Sequence, residues 1–440
     1  MVMRELWLTD RLRPLMALLA VVGIAGAVLD AYAQQQQQDP APKRTQQNKP
    51  ADKPAQKPGA AATTDKPGKK PTIAQRTEGL PPSQIGIGTL AQFAFMVDPQ
   101  SSTVLLFKDA DKPMHPSSMA KMMTIYLVFE ELASGRIKPD TKFRVSERAW
   151  RMQGSKMFVE INSEIAVDDL LKGIIVLSGN DACVVVAEGL AGSEEAFAER
   201  MNKKARELGM VGSVFKNASG WPAEGQTTTA RDLALVAWHT IQDYPQYYPH
   251  YSQTSWTYNN IKQDNRNRLL RITPGTDGLK TGHTEEGGYG QTVSAVRDGR
   301  RLILVVNGLT SMEERAQETA RLMEWGFREF TNTTIFKAGD TVADAPVWLG
   351  EKDTVPLVVT RSIQVTSPTS TPAQPRVVAR YEGPLPAPIT KGTKLGVAAV
   401  TLPDGRTIEY PLEAGADVPR QGVVGRVFTL ARHYLFGWLS

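Results

Sequence analysis

The chain has 440 residues, 41% of them hydrophobic, and a formal net charge of +5, enough for two or three domains with a sizeable core. The charge excess sits in residues 34–82, with nine basic and four acidic residues, whereas residues 83–440 hold 39 of each, so composition lends no support to a nucleic-acid partner. The lone Cys183 rules out an internal disulfide framework, and the histidines at 115, 239, 250, 283 and 433 offer no metal-ligand spacing, which argues against a zinc hydrolase and implies no metal.

In chain order, Arg11 and Arg13 precede an apolar run from Leu15 to Leu29 and the small-residue signal Ala31-Tyr32-Ala33. Residues 1–33 therefore read as a secretory signal peptide, cleaved rather than kept as an anchor, and the remainder as exported. Residues 34–82 open on Gln34–Gln38 and continue in Pro, Lys, Ala and Thr, a composition that cannot bury enough apolar surface to order itself and reads as a linker. Order is expected from near Ile85. Ala91–Val97 and Val104–Phe107 form a strand pair around the turn Asp98–Thr103, and Ser118–Leu132 is a mostly apolar, buried helix with Lys121 set inside it. Helical patterns alternate with short breaks over 165–210. Gln291–Val296 and Arg301–Asn307 flank Asp298-Gly299, a strong hairpin signal, and Glu313–Phe330 is an amphipathic helix for that sheet. After about Phe336 short β-rich runs (Val355–Val359, Arg376–Tyr381, Leu395–Thr401) and a hairpin at Asp404-Gly405 predict a small all-β domain over 336–418.

Three short motifs carry chemistry. Ser118-Met119-Ala120-Lys121 is S-x-x-K, Ser178-Gly179-Asn180 is S-x-N, and Lys280-Thr281-Gly282 is K-T-G. Each is weak alone, but the set in this order belongs to the active-site serine enzymes that meet penicillin. A serine hydroxyl needs a base to take its proton. Lys121, three residues on from Ser118, shares a helix face with it, and Pro116-Ser117 places Ser118 near the helix start, where negative charge is favoured. An apolar setting and a second cation at Lys280 would both keep Lys121 neutral. Ser178 can relay a proton to a leaving amine. Asn180 can hold a substrate amide or the Lys121 side chain. Leu279–Gly282 reads as a strand edge on which Lys280 and Thr281 bind a substrate carboxylate, with Gly282 permitting close approach.

These residues resemble the low-molecular-mass penicillin-binding proteins of the serine D-alanyl-D-alanine carboxypeptidase type. The likeness runs through 116–124, Gly154-Ser155-Lys156-Met157-Phe158, Gly173–Ala182 and 276–284, and spans roughly 85–335, with 336–418 similar to the family's C-terminal β domain. Two departures, a turn at Asp98–Thr103 without the family's usual glycine and a long linker, lie outside the motifs. The resemblance implies an α+β fold: an antiparallel sheet flanked by helices with a helical subdomain over 83–335, then a β-sandwich domain over 336–418. It also implies an oxyanion hole from the backbone N–H groups of Ser118 and His283. Arg315 resembles a family arginine that helps hold the terminal carboxylate, although its position also suits a surface helix arginine.

The implied reaction is acyl transfer. Ser118 attacks the carbonyl between two D-alanines of a peptidoglycan stem peptide, the last D-alanine leaves, and water hydrolyses the acyl-enzyme. β-Lactams would acylate the same serine, and no cofactor is implied. A class A β-lactamase would need an E-x-x-x-N loop, which Gly220–Thr229 with its Glu224 does not match. A D,D-endopeptidase on the same fold would carry the same motifs but commonly lacks the β domain. A catalytically silent wall-binding protein would not need Ser118, Lys121, Ser178, Asn180 and Lys280 intact. At the C-terminus, Val424, Val427, Phe428, Ala431, Leu435, Trp438 and Leu439 share one helical face, largely opposite Arg426, Thr429, Arg432 and His433. Residues 419–440 are thus expected to lie in the surface of the inner membrane rather than to span it, facing the periplasm.

Overall fold

A computed structural model of the chain describes residues 85–372, 375–401 and 407–436. The expected signal peptide, the linker and the Asp404-Gly405 hairpin lie outside the described residues, as do Trp438 and Leu439 and the side chains of Arg432, His433 and Leu435.

The first strands, β1 (Phe93–Asp98) and β2 (Thr103–Lys108), pair antiparallel. Their turn is built by Asp98, whose carboxylate accepts the N–H groups of Gln100 and Ser101. Ser102 takes the left-handed conformation there, at φ 58°, where a glycine would sit without strain. The chain then makes one turn of 3-10 helix at Ser117–Ala120 and continues as α1 (Lys121–Ala133), almost wholly buried. A ribbon of β3 (Lys142–Arg144) and β4 (Glu164–Ala166) encloses α2 (Glu147–Arg151). Helices α3 (Val167–Ile175), α4 (Asn180–Ala191) and α5 (Glu194–Glu207) follow with the predicted short breaks, and then α6 (Ala230–Asp243). The hairpin β5 (Ser255–Tyr258) and β6 (Ile261–Asp264) and the single turn α7 (Leu269–Ile272) lead into the rest of the main sheet.

That sheet is completed by β7 (Thr276–Thr284), β8 (Gly288–Arg297) and β9 (Arg300–Leu309), in the order β2-β1-β9-β8-β7, antiparallel throughout. Asp298 and Gly299 both take positive φ, 49° and 77°, at the β8–β9 turn, the geometry that suits the twist of a two-residue hairpin. Side chains alternate across the sheet. Ile303 and Val305 face the helical core built on α1, α3 and α4, whereas Leu302, Leu304 and Val306 face α8 (Met312–Glu329). Ser311 caps α8 by accepting the N–H of Glu314. Gly326 lets α8 close on the sheet, since a Cβ there would lie 2.5 Å from Met96 Sδ.

The second domain begins as soon as α8 ends. β10 (Phe330–Phe336) pairs with β13 (Ile363–Pro368), so β-structure starts six residues before the change of character near Phe336. A six-stranded sheet, in the order β14-β16-β17-β12-β11-β15, is formed by β11 (Thr341–Trp348), β12 (Thr354–Val359), β14 (Arg376–Tyr381), β15 (Leu385–Pro386), β16 (Lys394–Thr401) and β17 (Thr407–Ala414). Val355, Leu357, Ile363, Val400 and Leu412 form its own core. The last element, α9 (Val423–Phe436), exposes Val423, Val424, Val427 and Phe428. No helix among the described residues is long and apolar enough to cross a membrane.

Candidate active site

Ser118 lies in the 3-10 turn that opens α1. With three residues per turn, side chains three apart eclipse, and Lys121 Nζ reaches Ser118 Oγ at 2.8 Å. Lys121 does not run out to solvent: it is fully buried. Its other two contacts are the side-chain carbonyl of Asn180 (2.7 Å) and the backbone carbonyl of Ser219 (2.6 Å). Both are acceptors only. A neutral amine has two N–H bonds, which those carbonyls consume, leaving its lone pair directed at the Ser118 hydroxyl. Burial lowers the Lys121 pKa, against the nearby Cys183, Asp181 and Glu194, which raise it. Cys183 is itself pushed up to about 12 by burial and carries no charge at neutral pH, so its opposition falls away.

The Asn180 amide is held at both ends, since its Nδ2 donates to Gln153 O at 2.7 Å. Ser178 precedes it in a left-handed conformation, φ 61°, and α4 starts at Asn180. Asp181, fully buried, accepts the N–H groups of Met157, Phe158 and Val159 at 2.9–3.2 Å, which clamps the Gly154–Phe158 loop to the start of α4. Gly154 (φ 80°) is required there, because a Cβ would sit 2.8 Å from both Asn180 Nδ2 and the Trp221 ring. The Ser219 carbonyl is placed by a second frame. Asn217 Oδ1 accepts the N–H groups of Ser219, Gly220 and Trp221, and Gln226 Nε2 donates to Trp221 O.

The third motif lies on β7, the edge strand of the sheet. Lys280, buried, donates to Ser178 Oγ at 2.9 Å and to Thr281 O at 3.1 Å. Burial holds its pKa well below the usual lysine value, and Lys121 lowers it further. Gly282 lets the strand close on the Ser117–Ala120 turn, since a Cβ would fall 3.0 Å from Ser117 Cβ. His283, exposed, stacks on Tyr289 with ring centroids 3.8 Å apart.

One cavity of about 560 Å³ is lined by Ser118, Ser178, Asn180, Thr281, Gly282, His283 and Arg315 together. Three motifs that are 60 and 102 residues apart in sequence thus share one cleft, with Lys121 and Lys280 beneath it. Arg315 on α8 is only 4% exposed, which removes the reading of a surface arginine. Its Nη2 donates to Arg266 O at 3.4 Å and its Nε has no partner among the described residues. Burial, then Arg268, brings it down to about 10, still a cation at neutral pH. Ser155, from the family-like stretch 154–158, also lines the cleft, as do Arg266, Trp221, Glu285 and Glu286, which were not singled out from the sequence. Exposed Glu224 does not line it, so a class A deacylating carboxylate is absent from that wall. A second cavity of about 540 Å³, between the β8–β9 turn, the end of α8 and β10, holds none of the motif residues. Among the described residues no cluster of His, Cys, Asp or Glu could hold a metal ion.

The chain matches the family profile described as D-alanyl-D-alanine carboxypeptidase over residues 82–311, and that of the penicillin-binding protein 5 C-terminal domain over residues 330–420. It is 36% identical over 359 residues to the D-alanyl-D-alanine carboxypeptidase DacA of Haemophilus influenzae, covering 80% of this chain and 90% of that protein. It is 37% identical over 360 residues to DacC of Escherichia coli, covering 78% and 89%. Among solved structures, penicillin binding protein 5 from Haemophilus influenzae superposes with a TM-score of 0.70 at 35% identity, covering 78% of this chain and all of that one. Penicillin-binding protein D2 from Listeria monocytogenes, solved in an ampicillin-bound form, gives 0.50 at 31% identity over 54% of this chain and 97% of that one.

Proposed function

Because the chain belongs to the D-alanyl-D-alanine carboxypeptidase family, we propose that its serine-type carboxypeptidase activity runs through Ser118 as nucleophile and Lys121 as general base. The observation that carries this assignment is the 2.8 Å contact between Lys121 Nζ and Ser118 Oγ, in a buried setting whose other two partners are carbonyl oxygens. Ser118 passes its proton to the Lys121 lone pair as Oγ attacks the carbonyl carbon of the penultimate D-alanine. The oxyanion is received by the N–H groups of Ser118 and His283. Collapse breaks the C–N bond, and the departing amine takes the proton from Lys121 by way of the Ser178 hydroxyl. Water then attacks the acyl ester, which frees the shortened peptide and Ser118.

The terminal carboxylate lies against Thr281, Lys280 and Arg315, where charge-assisted hydrogen bonds are strong. Asn180 keeps Lys121 aimed. β-Lactams present a similar carbonyl and carboxylate, and they acylate the same serine. The exported enzyme works in the periplasm, and residues 419–440 attach it peripherally to the inner membrane. That attachment is supported by the exposed apolar residues of α9, which are costly to leave wet.

The test is incubation of the purified protein with a peptide ending in D-Ala-D-Ala. Free D-alanine should appear, and a fluorescent penicillin should label Ser118 in the intact protein. Labelling of another serine in a Ser118→Ala variant would overturn the assignment.

A further inference from the structure

We infer that Asp277, held by Tyr248 and Arg301, is a positioning residue for the reaction: it pins a bulge in β7 that points Lys280 at Ser178. The inference rests on the carboxypeptidase reading, in which Lys280 and Thr281 meet the substrate, and none of Asp277, Tyr248 and Arg301 lines the cleft itself.

β7 is the edge strand, so β8 alone sets its register. Thr276 stands opposite Ala295 and Gly278 opposite Ser294, which leaves Asp277 as one extra residue between them. From there the ladder is regular, with Lys280 opposite Thr292 and Thr281 opposite Gln291. Thr292 Oγ1 lies 3.6 Å from Met119 Sδ in the Ser117–Ala120 turn, so this face of β7 looks towards Ser118. Residues paired across a ladder share a face, and successive residues alternate. Without the extra residue, Asp277 would pair with Ser294 and Leu279 would come opposite Thr292. Lys280 would then point to the other side of the sheet. Bulges beside active sites re-aim side chains in this way.

The Asp277 carboxylate is where three elements meet. Tyr248 Oη donates to its Oδ1 at 2.8 Å, from the 3-10 turn Tyr248–Ser252. Arg301 Nη1, from the start of β9, lies 2.8 Å from its Oδ2 and donates also to Ser294 Oγ, on the residue opposite the bulge. The guanidinium carbon sits 5.4 Å from the centre of the Tyr248 ring, so the cation is held by the ring as well as by the carboxylate. Tyr248 is buried. Burial, then Asp277, raises its pKa well above the usual value, so the phenol keeps the proton it donates.

The same turn closes on Gly278, where a Cβ would lie 2.7 Å from Tyr248 Oη and 3.2 Å from Tyr251 Cβ. Tyr251 packs edge-on against Phe129 of α1, with ring centroids 6.4 Å apart. Because α1 starts at Lys121, one turn of chain ties the bulge to the helix that carries the proposed base.

The experiment uses the full chain with Asp277→Ala and, separately, Tyr248→Phe. Each is assayed on a D-Ala-D-Ala peptide with a free C-terminus and on the same peptide amidated. Asp277→Ala should lower kcat/KM for the free acid about 100-fold, the effect of a displacement of about 1 Å. Its preference for the free acid over the amide should shrink about tenfold, because Lys280 and Thr281 leave the carboxylate. Tyr248→Phe keeps the ring and loses one hydrogen bond, so it should lower kcat/KM about tenfold, with the same trend in preference. Each preference is a ratio within one preparation, so partial unfolding cancels. A crystal structure of the Asp277→Ala protein should show Lys280 Nζ out of hydrogen-bond range of Ser178 Oγ. An unchanged preference in both variants, or Lys280 still on Ser178, would overturn the positioning role. If the wild type releases no D-alanine from either peptide, the carboxypeptidase reading falls. The Lys280–Ser178 distance in the variant then still decides whether Asp277 holds the bulge.

Discussion

Replacing Lys121 by methionine separates catalysis from folding. Methionine is unbranched and of similar length, so it can occupy the buried channel that the lysine side chain fills. The substitution removes three contacts of 2.6–2.8 Å. It leaves Asn180 Oδ1 and Ser219 O short of a donor, at a cost of about 1–3 kcal/mol each. Against this, the desolvation cost of a buried amine disappears. The net loss of about 1–3 kcal/mol is smaller than the stability of about 5–15 kcal/mol typical of folded domains, so the variant should remain folded. Catalysis loses its base, a factor of about 10²–10⁴, or roughly 3–5 kcal/mol of barrier. Lys121→Arg should be as inactive, because a guanidinium does not deprotonate. The assays are D-alanine release, the rate of fluorescent penicillin labelling, and a melting curve. In the wild type the rate should rise with pH as Lys121, lowered by burial, loses its proton. Stability should rise over the same range, because between the lowered folded pKa and the ordinary value of about 10.5 the unfolded chain binds more protons. The Lys121→Met substitution should remove that acid limb from residual activity. Activity within tenfold of wild type in a folded Lys121→Met protein would refute the base assignment.

Arg315→Ala should raise KM for a free-acid peptide about 10–100-fold, as loss of a charged hydrogen bond predicts. It should leave the slow turnover of the C-terminally amidated peptide unchanged; equal losses on both would mean that Arg315 serves the fold. Gly220→Ala should lower the melting temperature sharply, because its Cβ would fall 1.8 Å from Ser117 O at φ 77°; a melt within a degree of wild type would count against that packing. Deleting residues 423–440 should move the protein from the membrane fraction to the soluble one with peptide cleavage intact, and continued pelleting after signal removal would count against the anchor.

Much of the fold was legible because local chemistry and tertiary structure agree. Asp298-Gly299 announces a hairpin because both residues tolerate positive φ, and the alternation in β9 assigns each side chain to one of two cores. The site was legible through residue types whose chemistry is rare in combination: a serine, two lysines and an asparagine in fixed short motifs. What stayed hidden has a physical reason in each case. The Ser219 carbonyl that holds Lys121 is a backbone atom and has no residue signature. Asp181 acts on backbone N–H groups more than twenty residues earlier, which no local spacing reports. Arg315 sits on an amphipathic helix where a surface and a buried arginine look alike until the opposite wall is placed. Ser102 adopts the left-handed conformation expected of glycine, so the turn closes without one. Phe330 begins a strand at the last turn of a helix because its partner strand lies more than thirty residues further on.

The arrangement also accounts for where the molecule concentrates its unfavourable terms. Two lysines are buried within one cleft, and Ser117 and Ser178 both hold left-handed backbone, at φ 48° and 61°. Such conformations cost about 1–3 kcal/mol each and persist only where the surroundings over-determine them. Here they are over-determined. Ser117 is pressed between Gly220, whose Cβ would fall 1.8 Å from the Ser117 carbonyl oxygen, and Gly282, whose Cβ would lie a tight 3.0 Å from Ser117 Cβ. Ser178 Oγ accepts a hydrogen bond from Lys280 Nζ, and the residue is followed by an α4 start that Asp181 ties to the 157–159 backbone. The frame residues therefore set the distance between Ser118, Lys121 and Ser178, Asp181 from the buried side and Gly220 and Gly282 from the wall of the cleft. A shift of about 1 Å in that frame would cost rate through geometry alone, so Gly220, Gly282 and Asp181 bear on the proposed reaction as much as Ser118 does.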